Sequence, residues 1–325
     1  MIVLTKADVA RLLPMAEAIE VIDAAMRVVS TRGAELPLRS IVDVGGGNRM
    51  GVMPGAMSDP ACFGIKLISL FPGNPARGLS SHRGAYVLFE SETGAATAMM
   101  DASLLTAIRT AAASAVATRA LAPEGAERLT ILGYGEQAEH HLDAMCAVRP
   151  ITHVTVAGRD ADKARAFCDH AAYKHPGLTF TATTDIPAAV ADAQIICTVT
   201  AAPAPILMGD WVPSGCHVNV VGSSIPSMRE VDDAFVTRAA IWVDYLPSTV
   251  AQAGEIVEMI GAGTITQDHL RGEIGALLDG NAPGPRDADT FTAYRSLGVA
   301  AQDLAAAQHV LRGAQKAGIG QSVTL

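Results

Sequence analysis

One short segment constrains the fold of this chain more than any other. Residues 129–138 read LTILGYGEQA, an apolar strand that runs into the pattern G-x-G-x-x-A and then into a helix. Gly133 allows a tight turn, Gly135 lets the backbone approach a pyrophosphate, and Ala138 lets the helix pack closely on the strand. The pattern predicts a dinucleotide-binding unit, with an ordinary glycine-rich turn as the alternative. The predicted cofactor-binding residues of this segment are Gly133, Gly135, Glu136, Gln137 and Ala138.

Strand and helix patterns alternate around this segment. Apolar runs predict strands at residues 128–132, 153–157, 179–181, 195–200, 216–221 and 240–243. Helical patterns lie between them at residues 136–147, 161–170 and 186–191. Alternation of this kind is typical of a parallel sheet with crossover helices. We therefore predict an α/β fold whose residues 124–299 form a Rossmann-type, doubly wound NAD(P)-binding domain.

The remaining sequence is organised differently. Residues 6–30 have helical periodicity, and strand patterns follow at 36–44, 49–53, 64–71 and 85–90, with a hairpin turn at GGGN, residues 45–48. An alanine-rich helix at 103–122 ends at Pro123, and residues 290–317 return to helix. We predict that 1–123 and 300–325 form one α+β substrate-binding and dimerisation domain.

Composition bounds the function. The 325 residues suit two domains, and 50% of them are hydrophobic, so a sizeable core is expected. The net charge is -9 and only 4% of residues are aromatic. A nucleic-acid binder would show a basic face and stacking rings, so we expect no nucleic-acid partner.

Cysteines and hydropathy indicate the compartment. Five scattered cysteines form no C-x-x-C pair, and an odd number argues against a disulfide framework. The apolar residues at the N-terminus are interrupted by Lys6, Asp8 and Arg11, which is unlike a signal peptide. The uncharged run at 193–209 contains two prolines and does not predict a membrane span. We expect a cytoplasmic protein without a membrane partner.

The choice of dinucleotide depends on the end of the second strand. Asp160 follows Ala138 by about 20 residues, where an acid binds the ribose 2′-hydroxyl of NAD. The adjacent Arg159 could instead hold the 2′-phosphate of NADP. We favour NAD(H), because a carboxylate beside the ribose would repel a phosphate.

Several further segments resemble those of the ornithine cyclodeaminase/mu-crystallin family, and they cover nearly the whole chain. The matching segments are VMPG (52–55), GIKL (64–67), FPGNP (71–75), MD (100–101), AIRTAA (107–112) and SLG (296–298). The resemblance implies a homodimer and a discontinuous substrate domain around a nucleotide-binding domain.

The resemblance also implies site residues. Arg39, Lys66 and Arg109 match the family's basic residues around the substrate carboxylate, and Thr110 falls beside the nicotinamide region. Two arginines can bind a carboxylate through paired hydrogen bonds. Further candidates are Thr198 and Gly222 for the cofactor and Met53 and His82 for the substrate, although a loop histidine is more often a surface residue.

One departure from the family pattern bears on the reaction. Cyclodeaminases carry an aspartate in a G-x-D-x-P-G-K motif, whereas residues 222–228 read GSSIPSM, with Ser224 at the aspartate and Met228 at the lysine. A serine there is similar to the mu-crystallin side of the family, whose members reduce ketimines. We predict that Ser224 belongs to the catalytic site and that ornithine cyclodeamination is disfavoured. The alternative role of Ser223 and Ser224 is a helix cap.

Lys66 is the predicted acid or base. It lies in the apolar segment GIKLISLF (64–71), where a lysine needs a partner or a function. Burial and nearby guanidinium groups would both favour its neutral form and bring it into use near neutral pH. The alternative is that the side chain extends to the surface at a strand edge.

These residues predict an NAD(P)H-dependent reduction of a 2-imino acid to an L-amino acid, with iminosuccinate to aspartate as the narrower expectation. Alanine dehydrogenase and cyclic ketimine reductase activities stay open within the same class. Cyclodeaminase-type ammonia elimination and a non-catalytic nucleotide-binding protein are the alternatives. Because no cluster of His, Cys, Asp or Glu has ligand spacing, we expect no metal.

Overall fold

The structure is a computed structural model that describes residues 1–285 and 289–324. Its strands are β1 (Ile2–Leu4), β2 (Ala34–Glu35), β3 (Ser40–Gly45), β4 (Asn48–Ser58), β5 (Ala61–Leu70), β6 (His82–Phe89), β7 (Ala96–Asp101), β8 (Arg128–Leu132), β9 (His153–Ala157), β10 (Thr179–Thr183), β11 (Ile195–Thr198), β12 (His217–Val220), β13 (Ala240–Val243), β14 (Gly272–Glu273), β15 (Thr292–Arg295) and β16 (Gln321–Ser322). Its helices are α1 (Lys6–Leu12), α2 (Met15–Ser30), α3 (Ala102–Leu121), α4 (Glu136–Val148), α5 (Ala161–Lys174), α6 (Ile186–Val190), α7 (Asp233–Arg238), α8 (Leu246–Gln252), α9 (Gly254–Gly261), α10 (Ile274–Leu278) and α11 (Ala300–Ala317).

Two compact units divide the chain. The first comprises Met1–Ala112 and Gly298–Leu325, and the second comprises Ala113–Leu297. The first division therefore falls inside the alanine-rich helix α3, whereas the sequence places it at Pro123, where that helix stops. Proline and glycine mark the end of a helix in the sequence. A boundary between two units that falls within a continuous helix has no such residue to mark it.

The second unit contains a parallel sheet. Its eight strands run in the order β10-β9-β8-β11-β12-β15-β13-β14, and every recorded pair is parallel. The chain order reverses beside β8, which is the switch point of a doubly wound sheet, where ligands bind at the carboxyl ends of the strands. Strands β11, β12 and β13 are buried along their whole length, as expected for a sheet covered on both faces. The predicted α/β fold class is confirmed.

The tail of this unit differs from the prediction. Residues 292–295 form strand β15, which pairs with β12 and β13, and the last long helix begins only at Ala300. The helical prediction for 290–299 is therefore wrong, because tertiary pairing overrides a weak local preference. Helices α7 to α10 and strand β14 were not predicted.

The first unit contains a mixed sheet in the order β16-β1-β7-β6-β5-β4-β2, with β3 also paired to β4. The hairpin predicted at residues 45–48 is present, since β3 and β4 pair antiparallel across it. The helical periodicity predicted at 6–30 corresponds to two helices, α1 and α2, with Pro14 as the N-cap of the second. Strands β1, β2, β7 and β16 add to those that the sequence predicted.

Helix α11 completes the core of the first unit. Its apolar stripe, which includes Leu304, Ala307, Val310 and Leu311, is buried. The helix packs against α2 and against the inner faces of β4 and β5. The expectation that the C-terminal helix returns to the first domain is therefore confirmed, and the helix brings its own polar residues onto that sheet.

Candidate active site

Lys66 lies on the inner face of the mixed sheet. Every second residue of β5 is buried there, and strand pairing sets Lys66 opposite Met53 of β4 and Tyr86 of β6. Lys66 is only 1% exposed, so the alternative that it extends to the surface is wrong. An ammonium group in an apolar row requires a partner, because burying an unpaired charge is costly.

That partner is Asp303 of helix α11. Its Oδ2 accepts a hydrogen bond from Lys66 Nζ at 2.8 Å, and its Oδ1 accepts one from Arg109 Nε at 3.0 Å. The carboxylate is completely buried and is shared between the two cations. The structure thus brings Lys66 and Arg109 together through a residue that sequence reasoning missed.

A signal for Asp303 is present in the sequence. Asp303 precedes Ala307 by four residues and Val310 by seven, which sets it on the same apolar stripe. A carboxylate at such a position is buried, and buried carboxylates need cationic partners.

Gly298 organises the two arginines. Arg39 donates from Nη2 to the carbonyl oxygen of Gly298 at 2.8 Å. A Cβ added at Gly298 would lie 2.5 Å from Arg109 Nη1, and the φ of this glycine is +76°. Arg109 also donates from Nη1 to Gln302 Oε1 at 2.8 Å. The glycine therefore permits the guanidinium of Arg109 to lie directly against the backbone that holds Arg39.

Burial and the neighbouring charges of this cluster lower the pKa of Lys66. Burial lowers the pKa of Lys66 most, Arg109 lowers it further, and Asp303 opposes both effects, so that the pKa falls from 10.5 to about 7. Burial tends to raise the pKa of Asp303, but Arg109 and Lys66 outweigh it and hold that pKa below its ordinary value. A lysine with a pKa near 7 can exchange a proton at neutral pH.

The sequence predicts two arginines that bind a carboxylate through paired hydrogen bonds, but in the structure both guanidinium groups also contact other residues of the protein. Asp303 and Gln302 take the Nε and Nη1 groups of Arg109, so Nη2 is the donor that these two contacts leave for a ligand. Arg39 is half-buried. Each arginine thus has a structural contact within the first unit.

The other candidates of the first unit lie at different depths. Thr110 is buried beside Arg109 on α3, and Met53 is buried opposite Lys66. His82 is exposed at the start of β6, and its Nδ1 lies 2.9 Å from Ser81 Oγ. His82 precedes Tyr86, the cross-strand partner of Lys66, by four residues on β6.

The glycine turn of the second unit has the geometry that its sequence predicts. Gly133 has a φ of +121°, and an added Cβ would lie 2.9 Å from the carbonyl oxygen of Val199. Gly135 is exposed and caps helix α4 through its backbone alone, and an added Cβ there would meet nothing within 4 Å. Ala138 is fully buried where the helix meets the sheet. The N-terminus of helix α4, where Glu136 and Gln137 lie, has no side-chain cap. This free helix end and the open space at Gly135 fit a pyrophosphate.

Arg159 and Asp160 both follow the end of β9 but differ in their contacts. Asp160 caps helix α5, accepting from the backbone N–H of Lys163 at 3.1 Å, and its other oxygen lies 3.5 Å from Lys163 Nζ. Arg159 is exposed. The carboxylate therefore already has a structural role at the helix terminus.

Buried polar residues support the carboxyl ends of β11 and β12. Thr198 donates from Oγ1 to Glu230 Oε2 at 2.8 Å, and Gly222 donates its N–H to the same oxygen at 2.6 Å. Ser223 accepts from Arg295 through both its carbonyl oxygen and its hydroxyl, at 2.8 and 2.9 Å. Ser224 is half-buried in the loop that follows. Sequence reasoning missed Glu230 and Arg295, which are both buried.

The described residues contain neither a cluster of metal ligands nor a helix that could span a membrane. No group of three or more His, Cys, Asp or Glu side chains in 1–285 and 289–324 is placed to hold a metal ion. Over the same residues, no helix combines the length and the apolar character needed to cross a bilayer.

A doubly wound parallel sheet with a glycine turn at its switch point defines a dinucleotide-binding protein, here joined to a unit that holds a buried cationic cluster. The model of the Ornithine cyclodeaminase/mu-crystallin family matches residues 1–317. The chain belongs to this family, and the resemblance predicted from sequence is confirmed.

Two relatives and one solved structure illustrate the relationship. The chain is 32% identical over 279 residues to ketimine reductase mu-crystallin of Mus musculus, covering 86% of this chain and 85% of that protein. It is 35% identical over 263 residues to iminosuccinate reductase of Paracoccus denitrificans, covering 81% and 80%. The structure of Thermococcus litoralis Δ1-pyrroline-2-carboxylate reductase in complex with NADH and L-proline matches with a TM-score of 0.95 at 30% identity, covering 99% of this chain and 100% of that chain.

Proposed function

We propose that this protein reduces a 2-imino acid to the corresponding L-amino acid at the expense of NAD(P)H. Family membership makes it a nicotinamide-dependent oxidoreductase that acts on C=N bonds. The observation that carries the proposal is the buried contact of Lys66 with Asp303 beside Arg109. This contact supplies a cationic group that can bind a carboxylate or give up a proton near neutral pH.

Each residue of the cluster has a role in this chemistry. Arg39 and Arg109 would bind the substrate carboxylate, because guanidinium groups pair with carboxylates through several hydrogen bonds. Lys66 would deliver a proton to the imine nitrogen. The reduced nicotinamide supplies the hydride to the imine carbon, so the C=N bond gains one hydride and one proton. Asp303 would hold Lys66 and Arg109 in place while the substrate is bound.

The neighbours of Lys66 bear on the choice of imino acid. Iminosuccinate, the narrower expectation from sequence, carries a second carboxylate that would need a further cation. Met53 and Tyr86 flank Lys66 in its row, and His82 is exposed four residues along β6 from Tyr86. The cross-strand neighbours of Lys66 are thus mainly apolar. They favour a cyclic 2-imino acid such as Δ1-pyrroline-2-carboxylate over iminosuccinate, because the ring carbons of the cyclic compound carry no second charge that would have to be buried.

The geometry at β9 also bears on the dinucleotide. The sequence favours NAD(H) on the ground that Asp160 would repel a 2′-phosphate. Since Asp160 caps helix α5 and pairs with Lys163, that objection weakens, and the exposed Arg159 is available for a phosphate. We therefore infer that NADP(H) is the better cofactor. The Arg159→Ala variant should raise the KM for NADPH much more than the KM for NADH.

An assembly also follows from the surface of the first unit. The outer face of β5 exposes Phe63 and Leu67, at 37% and 36%, and Phe63 stacks on Phe89 with ring centroids 5.1 Å apart. Strand β3, which pairs with β4, is exposed along its whole length and carries Ile41, Val42 and Val44. Exposed apolar surface of this kind marks interfaces, and a second copy of the chain is the proposed partner.

One assay tests the proposed function. NADPH and NADH oxidation are followed with Δ1-pyrroline-2-carboxylate, with other cyclic ketimines, and with oxaloacetate, pyruvate or glyoxylate plus ammonia. Net oxidation with an imine supports the reductase. Conversion of ornithine to proline without net oxidation would support ammonia elimination instead, a reaction that Ser224 disfavours. Cofactor binding without any turnover would contradict catalysis.

A further inference from the structure

We infer that Glu230 is a positioning residue that fixes the cofactor edge of the parallel sheet by joining the loops that follow β11 and β12. The inference rests on the proposed function only in taking a nicotinamide dinucleotide as the ligand. Glu230 lies eight residues beyond Gly222 and is fully buried. No part of the proposed chemistry uses its carboxylate, so its burial requires another explanation.

Four donors from two loops converge on this carboxylate. Oε1 accepts from the backbone N–H of Thr200 at 2.7 Å and from its hydroxyl at 2.6 Å. Oε2 accepts from the hydroxyl of Thr198 at 2.8 Å and from the N–H of Gly222 at 2.6 Å. Thr198 is the last residue of β11, Thr200 lies two residues beyond it, and Gly222 follows β12. The side chain therefore bridges the carboxyl ends of two adjacent parallel strands.

Close packing makes this bridge specific. A Cβ added at Gly222 would lie 2.0 Å from the carbonyl oxygen of Thr200 and 2.6 Å from Glu230 Oε1. Val199, which precedes Thr200, has its carbonyl oxygen 2.9 Å from the position of a Cβ at Gly133. The loop that Glu230 anchors thus packs directly against the glycine turn. In an open parallel sheet, ligands bind where these loops meet.

The backbone of Glu230 is held independently of its side chain. Its carbonyl oxygen accepts from the N–H groups of Ile206 and Leu207 at 2.8 and 3.0 Å. Replacement of the side chain therefore leaves this anchor in place. The carboxylate accepts at both oxygens, whereas a carboxamide accepts at only one. In Glu230→Gln, the new NH₂ group would face either the two donors of Thr200 or the Thr198 hydroxyl and the Gly222 N–H. The first orientation removes the anchor of the Thr200 loop. The second weakens the hold on Gly222, whose N–H keeps a contact with the carbonyl oxygen of Thr198 at 3.1 Å.

The inference is tested by titrating NADPH and NADH into the full-length wild type and Glu230→Gln, following nicotinamide fluorescence without any imine. We expect the dissociation constant of the preferred cofactor to rise by roughly tenfold or more, since a buried donor left unpaired destabilises the bound form. We also expect kcat to fall, while the KM of the imino acid stays within about twofold because its proposed ligands lie in the first unit. Glu230→Asp, which restores the charge, should recover part of the cofactor affinity.

The matched control is Thr292→Val. Thr292 is buried at the amino end of β15, and its Oγ1 lies 2.9 Å from His217 Nδ1, so the substitution removes a buried polar contact at the opposite edge of the sheet from the two loops. Unchanged cofactor affinity in a folded Glu230→Gln, or an equal loss in Thr292→Val, overturns the inference. If Glu230→Gln does not fold, Thr200→Val decides, with a severalfold weaker cofactor affinity expected and an unchanged one contradicting the inference. A wild type that binds neither dinucleotide refutes the proposed function itself.

Discussion

Lys66 and Asp303 form a fully buried ion pair, with 2.8 Å between Nζ and Oδ2, although they lie 237 positions apart in sequence. The same carboxylate receives Arg109 on its other oxygen. A single negative charge thus holds two cations, and the cluster keeps a net positive charge inside the first unit. Such a cluster is suited to an anionic ligand, because a bound carboxylate supplies the missing negative charge.

Replacing Asp303 by asparagine should damage both stability and activity. Lys66 and Arg109 would stay buried without their shared partner, and removing one member of a buried pair lowers the free energy of unfolding by about 3–5 kcal/mol. Asp303 raises the pKa of Lys66, so its loss should lower that pKa further and move the alkaline limit of reduction to lower pH.

Urea unfolding and the pH profile of kcat/KM measure the two effects. Asp23→Asn is the control, because Asp23 pairs with Arg27 at 2.6 Å on a more accessible helix face. Loss of such an i,i+4 pair changes the free energy of unfolding by less than about 1 kcal/mol. Equal losses in the two variants would contradict a special role for Asp303.

The protonation of Lys66 predicts opposite pH profiles for the two directions of the reaction. Its pKa in the folded protein is about 7. Reduction of an imine consumes a proton, so kcat/KM for reduction should be constant below this pH and fall above it. Oxidation of the amino acid requires neutral Lys66 and should rise through the same pH. Lys66→Met should abolish both inflections together with most of the turnover, and a variant that retains either profile would exclude Lys66 as the proton donor.

Stability gives an independent measure of the same shift. The pKa of Lys66 is lowered in the folded state, so between about pH 7 and pH 10.5 the unfolded chain binds a proton that the folded chain does not. The free energy of unfolding should therefore rise with pH across this window. In Lys66→Met, the free energy of unfolding should rise less steeply with pH over this window. Urea unfolding at several pH values measures the difference.

The fold could be predicted from sequence where local and tertiary preferences agree. The glycine turn at Gly133 and the alternation of strand and helix patterns around it identify the parallel sheet. Strand β4 was predicted only in part, since Pro54 lies in its middle. On one side of β4, strand β3 pairs with residues up to Val52 and strand β2 pairs with residues from Ala56 onward. Pro54 lies between these two paired segments. The missing N–H of proline therefore faces a gap in the pairing on that side.

The candidate site was harder to predict than the fold. Arg39, Lys66 and Arg109 were identified through a family resemblance, but Asp303 and Glu230 were missed. Each of these acids acts through residues that are distant in sequence, and no local motif records such a partner. Asp303 could have been found as a charge on an apolar helix stripe. Glu230 could be recognised only once two strands were known to be adjacent.

The exposed outer face of β5 predicts a concentration-dependent dimer. Leu67→Glu should place a charge in an apolar interface and convert a dimer to a monomer in sedimentation or size-exclusion experiments. Tyr173→Glu is the matched control, because Tyr173 is 89% exposed and belongs to the second unit. A wild-type monomer at micromolar concentration, or a dimer that Leu67→Glu leaves intact, would contradict the proposed interface.

The open space at Gly135 predicts a variant that folds but does not bind the cofactor. An added Cβ meets nothing within 4 Å there, and the φ of Gly135 is -94°, which any residue adopts. Gly135→Val should therefore unfold at a temperature close to that of the wild type, yet occupy the space that a pyrophosphate needs. Gly177→Val, at another glycine with open surroundings, should retain cofactor affinity. Normal NADPH binding by Gly135→Val would exclude this turn as the phosphate site.

The contact between Gly298 and Arg109 predicts a loss of substrate affinity that backbone strain alone does not produce. A methyl group at Gly298 would lie 2.5 Å from Arg109 Nη1, so the guanidinium must move away from its place beside Asp303. Gly318→Ala is the matched control, because Gly318 has a similar positive φ of +66° and nothing within 4 Å of an added Cβ. Both variants should lose about 1–2 kcal/mol of stability from the left-handed backbone. Only Gly298→Ala should raise the KM of the imino acid, by about tenfold, and equal KM values in the two variants would show that Arg109 does not bind the substrate.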